Sequence, residues 1–177
     1  MDRYDPLEAP ASEEWLDLDE SECIALVESY HRRARAVLPN LRAHATFHAI
    51  VESQAALGDE TPVRRTLARL VEEGVDRHEA IHAVAATLAE HMSDLVRSAS
   101  PPSDPNASYF AALEKLTIES WRKTYGRMAP SVGCRGKLDW ARDIRQCISC
   151  PRKPNSDSHP YHIGNQGGRF DYMPHHP

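Results

Sequence analysis

From Asp76 to Val96 the chain reads DRHEAIHAVAATLAEHMSDLV. Asp76 followed three residues later by Glu79 is a capping-box pattern, so a helix begins here. His78, Ile81, His82, Ala85, Leu88, Ala89, Met92 and Val96 then recur at three- and four-residue steps, which is one helical face. That face is apolar apart from two imidazoles. It needs other helices to cover it, and the flanking sequence supplies them.

On the N-terminal side, a short helix is expected with Thr61 as its cap and Pro62 in its first turn. Val63, Leu67, Leu70 and Val71 would be its apolar residues. Gly74 suits the C′ position, with Val75 making the hydrophobic contact that follows it. Before that, Leu41 to Leu57 reads as a helix whose stripe is Leu41, His44, His48, Val51 and Ala55, flanked by Phe47 and ended by Gly58-Asp59. An earlier helix starts at the capping box Asp17-Leu-Asp-Glu20 and runs to about Leu38, burying Ile24, Val27, Tyr30, Ala34 and Val37. On the C-terminal side, Ser98 to Pro105 is a linker by composition. A last helix with Tyr109, Leu113, Leu116 and Trp121 inside is expected to close at Gly126. No strand-period pattern competes with this reading. The expected fold is an all-α compact bundle of about five helices with short, antiparallel connections.

Residues 1–18 form an acidic leader, expected to be loosely ordered, with Trp15, Leu16 and Leu18 available to dock. Residues 19–126 are the helical domain. Residues 127–177 are a basic tail that holds 6 of the 13 prolines, 5 of the 8 glycines and 3 of the 4 cysteines. Leu138 to Ile148 is long enough for one short helix there, and Pro151 onward reads as disordered. Net charge is −5 but divided: residues 1–126 hold 13 Lys and Arg against 22 Asp and Glu, residues 127–177 hold 8 against 4. An acidic main domain argues against sequence-independent binding to nucleic acid, which needs positive charge against phosphate. The tail retains a weak form of that capacity. Met1 to Pro10 is acidic without an apolar run, so no secretory signal is expected. No apolar stretch has the length to span a bilayer, so no membrane partner is expected. A cytoplasmic chain with reduced thiols is the resulting expectation, and only Cys23 of the four cysteines lies in the main domain.

The chemistry-bearing residues are two His-x-x-x-His pairs. His44 and His48 point from one side of their helix, and His78 and His82 from one side of theirs. Both pairs lie on apolar stripes. Two such helices packed face to face bring four imidazoles to one point, and Ala45, Ala85 and Ala89 are small enough to allow close approach. Neutral imidazole is a good ligand for transition metals, zinc and iron among them. Glu52, one turn beyond His48, is a candidate carboxylate ligand. His78 lies in the first turn of its helix, where the dipole disfavours imidazolium and favours the neutral form that an ion needs. The competing reading is that these histidines are hydrogen-bonded core residues of a metal-free protein-interaction module.

His78-Glu-Ala-Ile-His82 also matches the His-Glu-x-x-His pattern of zinc peptidases, in which the glutamate is the general base. Here Glu79 reads as the third residue of a capping box at a helix start, and no third ligand follows at close spacing. His91 falls on another side of its helix. In the tail, Cys147-Ile-Ser-Cys150 has zinc-knuckle spacing, with Cys134, His159 and His162 available to complete a set. One Cys-x-x-Cys without a clean second half is a weak signal, and the simpler reading is a disordered basic tail, or a segment arising from a shifted reading frame.

The run Asn40-Leu-Arg-Ala-His44-Ala-Thr-Phe-His48-Ala-Ile-Val-Glu52-Ser-Gln54, then Pro62-Val63, then His78-Glu-Ala-Ile-His82, resembles an uncharacterised bacterial helical family, domain-of-unknown-function family 1841 and its relatives. The resemblance covers roughly residues 38–97. It implies a compact α-helical domain and keeps His44, His48, Glu52, His78 and His82 as candidate site residues. It implies no activity. His48-x-x-x-Glu52 with His78-x-x-x-His82 is also similar, in part, to the ligand pattern of hemerythrin-like di-iron bundles. It departs from that pattern in that the first helix offers only His31 and the last helix no histidine.

Overall fold

The computed structural model describes residues 1–36, 38–100 and 102–125, with the side chain of Tyr125 left aside. Val37, the helix end at Gly126, and every expectation about the tail (Cys134, Leu138 to Ile148, Cys147, Cys150, His159 and His162) lie outside the described residues. Among the described residues seven α-helices follow in order: α1 Ser12–Leu16, α2 Glu20–Arg33, α3 Leu41–Ala56, α4 Val63–Glu72, α5 Arg77–Arg97, α6 Ala107–Lys115 and α7 Ile118–Tyr125. A single 3₁₀ turn, Gly58–Glu60, joins α3 to α4. There is no strand among the described residues, so the all-α expectation holds.

The helix count exceeds five for two local reasons. The leader folds: α1 forms, and Tyr4 and Trp15 are each 1% exposed. Trp15 docks as expected, its indole N–H donating to Ser53 Oγ at 3.1 Å, whereas Leu16 stays exposed. The expected last helix is broken at Leu116-Thr117. There the Thr117 hydroxyl accepts from Ser120 N–H and the Ser120 hydroxyl accepts from Thr117 N–H, both at 3.1 Å, a reciprocal cap that restarts the helix.

The start of α2 is displaced from the expected box. Asp19, not Asp17, accepts from Glu22 N–H, and Glu22 reaches back to Asp19 N–H. The helix stops at Arg33 rather than near Leu38. Arg35 adopts φ 53°, and the amide of Ala36 bonds to the carbonyl of His31 at 3.0 Å while that of Arg35 bonds to Arg32 at 3.0 Å. This is the Schellman pairing that ends helices, built here on a non-glycine residue. At the end of α4 the same left-handed role falls to Gly74, with φ +95°.

α5 is the central helix. Every residue from Ala80 to Ala86 is buried, the mark of a helix covered on all sides. α3, α4, α6 and α7 pack around it, and α2 packs on α3. Val71, Met92 and Val96, expected inside, are exposed because they lie at helix ends or on sides that no described neighbour covers.

Two apolar cores result. Phe47 and Val51 of α3 join α4 to α7, while Ala45 and Ala49 join the leader and α2. At 3.6 residues per turn, the stripe of His44, His48 and Glu52 falls between those two sets. The helical period alone therefore places these three polar residues of α3 on the seam between the cores.

Candidate metal centre

Five imidazoles meet on that seam: His31 from α2, His44 and His48 from α3, His78 and His82 from α5. One ring nitrogen from each lies within 4.8 Å of all the others. Ring centroids are 4.5 Å apart for His44 and His48, 4.4 Å for His78 and His82, and 4.9 Å across the helices for His48 and His82. The two predicted pairs thus converge. His31 adds itself from α2, 4.4 Å from His44 and 5.1 Å from His48. Four of the five are buried, and His78 is partly exposed at the rim.

These spacings suit one coordination sphere. At nitrogen–metal distances of about 2.0–2.1 Å, neighbouring corners at a right angle are about 2.9 Å apart and opposite corners about 4.2 Å. His31 Nε2 and His44 Nε2 are 2.9 Å apart. A spacing at the 4.8 Å limit needs to contract by about 0.6 Å.

The tautomer of His31 is fixed from outside. Its Nδ1–H donates to the carbonyl of Val27, one turn back on α2, at 2.9 Å. This leaves Nε2 as a lone pair aimed into the cluster, the arrangement that a ligating histidine needs. The short contact to His44 is then a hydrogen bond with His44 Nε2–H as donor. The other three rings lack such partners. Both nitrogens of His48, and Nε2 of His78 and of His82, are buried without a hydrogen bond to any described protein group. Leaving a buried polar group unsatisfied costs about 1–3 kcal/mol.

Burial sets the charge state. It pushes His48 and His82 well below the ordinary imidazole range, and the neighbouring imidazoles push them further. His31 is lowered by burial, against the Val27 carbonyl, which raises it. His78 falls to about 4, mainly through burial and the field of His31, with Asp76 and Asp5 opposing. All four therefore present neutral rings near neutral pH.

Glu52 does not join the imidazoles. Arg77 grips its carboxylate with two nitrogens, Nη1 to Oε1 at 2.8 Å and Nη2 to Oε2 at 2.6 Å, and the Tyr4 hydroxyl donates to Oε1 at 2.7 Å. A guanidinium fork matches a carboxylate better than a lone ion shared with five imidazoles would. Arg77 also donates to the carbonyls of Pro6 and Glu8, so this buried pair straps the leader across α3 and α5 beside His78. Tyr30 packs edge-on against both His31 and His78 and against Tyr4, closing the same side.

Glu79, at the start of α5, meets Arg122 of α7 at 3.1 Å. His91 stacks on Tyr109 away from the cluster. His31 is not among the expected ligands, although its signal is present in the sequence. Ile24, Val27 and His31 follow at steps of three and four, so His31 shares the buried face as well as Tyr30 does. Comparison with protein-family models, with curated proteins and with solved structures finds no match for this chain. No helix among the described residues is long and apolar enough to cross a membrane.

Proposed function

We propose that this chain is a metal-binding helical protein, with one transition-metal ion held by His31, His44, His48, His78 and His82. The supporting observation is the convergence of five ring nitrogens within 4.8 Å, several of them buried and without a protein partner. A core built only for packing has no reason to collect such groups, because each one costs stability. The ligand set is all nitrogen, which suits iron, cobalt, nickel, copper or zinc and disfavours magnesium and calcium. Structural zinc is usually satisfied by four ligands, so five converging imidazoles favour ions that accept five or six. Glu52 acts as the anchor of the leader instead of as a ligand. The cytoplasmic setting and the kinship with the bacterial family resembled above belong to this same reading.

The test is elemental analysis of the full chain beside a His48→Ala, His82→Ala double variant that keeps the tail. Stoichiometric metal in the parent and its loss in the double variant is the expected result. A parent that stays metal-free after reloading with each divalent ion in turn would leave a metal-free interaction module with core histidines.

A further inference from the structure

The charge balance of the cluster carries a consequence for what an ion there would bind. Five imidazoles contribute five neutral donors, and no carboxylate or thiolate belongs to the converging set. The nearest buried carboxylates are already neutralised. Glu52 is held by Arg77 and Tyr4, and Glu28 by Arg32 at 2.6 Å and Arg42 at 3.5 Å. A divalent ion in this seam keeps its full charge in surroundings where His31, His44, His48 and His82 are each at most 5% exposed. Uncompensated charge in such a place is costly and draws a counter-charge. Five donors also leave one corner of an octahedral sphere open.

We propose, on the footing of the metal reading above, that this centre takes a small inorganic anion as its exogenous ligand, hydroxide or an azide-like species. The anion approaches from the side of His78, the partly exposed imidazole. Binding is a ligand addition at the ion, with no electron transferred and no bond broken in the anion. Asp5 and Asp76 stand at the rim and oppose the approach. Each is engaged elsewhere, Asp5 by the amide of Leu7 and Asp76 by that of Glu79, so neither supplies the missing charge inside. Tyr30 packs on His78 and the leader is tied to Arg77 on this same side, which favours ions of a few atoms.

The experiment loads the metal-free full chain with cobalt(II) and titrates it with sodium azide, following the visible spectrum. Cobalt reports coordination number by the intensity of its bands. The expected result is a weak five- or six-coordinate spectrum that azide shifts saturably, with a Kd of about 10 mM or tighter. The His48→Ala, His82→Ala variant subtracts any cobalt held by the tail. If that variant does not fold, His48→Leu, His82→Leu, which keeps side-chain volume, takes its place. Cobalt bound with a spectrum indifferent to azide, or with the intense bands of a closed tetrahedron, overturns the anion proposal and leaves the metal centre standing. No ion bound, with cobalt and each other divalent ion offered in turn, overturns both.

Discussion

Replacing His48 with leucine separates a metal centre from a core histidine, because the two readings predict opposite signs. His48 is fully buried, and neither of its ring nitrogens has a hydrogen bond to a described protein group. A neutral imidazole carries one donor and one acceptor, and leaving each unsatisfied costs about 1–3 kcal/mol. Leucine removes both at similar volume, and imperfect packing returns part of the gain, typically under about 1.5 kcal/mol. The metal-free His48→Leu protein is therefore expected to be more stable than metal-free wild type by about 2 kcal/mol. For a chain of 177 residues this raises the melting temperature by about 4–8 °C. The assay is thermal unfolding by circular dichroism at pH 8 with a chelator present. Adding metal should then reverse the order. Wild type gains about 4 kcal/mol when free ion is a thousandfold above Kd, and the variant gains far less. A metal-free variant that melts at or below wild type would refute the reasoning, since it would mean that His48 earns its place by packing alone.

Acid should destabilise the metal-free protein early. The folded pKa of His78, about 4, lies below its unfolded value near 6.5. The stability it contributes is thus complete above about pH 6.5 and is lost as pH falls toward 4, about 3 kcal/mol in all. His48 and His82 shift in the same direction and steepen the loss. Chemical denaturation at pH 8, 6 and 5 checks this, and flat stability across that range would contradict it. Glu52→Ala should cost about 3–5 kcal/mol, because it leaves Arg77, whose side chain is 14% exposed, with a buried unpaired charge. Metal stoichiometry should be unchanged in that variant, and loss of the ion in a folded Glu52→Ala protein would restore Glu52 as a ligand. Gly74→Ala should cost about 1 kcal/mol through backbone strain alone, since nothing lies within 4 Å of the added carbon. Arg35→Gly should stabilise by a few tenths to about 1 kcal/mol by relieving the left-handed residue that ends α2. Denaturant midpoints measure both.

Local pattern reached the helices and the two histidine pairs because both are properties of a single helix. A cap residue, an apolar step of three or four, and an i, i+4 pair are all set within one or two turns of chain. This is why α3 begins at the expected Leu41, and α5 at Arg77, directly after Asp76, the residue that its start signal marks. It is also why the capping box of α2 was misplaced: Asp17 with Glu20 and Asp19 with Glu22 satisfy the same local rule. Their order in the fold depends on Trp15, whose docking commits the preceding residues to α1.

Three features depended on how the helices meet. His31 became part of the cluster only because α2 lies on α3 with its Ile24, Val27 and His31 face turned to the seam. No spacing within α2 specifies that partner. Glu52 was drawn away because Arg77, distant in sequence, offers a bidentate grip that a periodicity argument cannot weigh against a metal. The leader became ordered because Tyr4 and Trp15 found buried sites on a surface that exists only after α2 and α3 have packed. The sequence by itself determined which residues share a helical face. The tertiary structure decided which faces share a point in space, because burial and charge pairing are competitions among groups that local sequence never brings together.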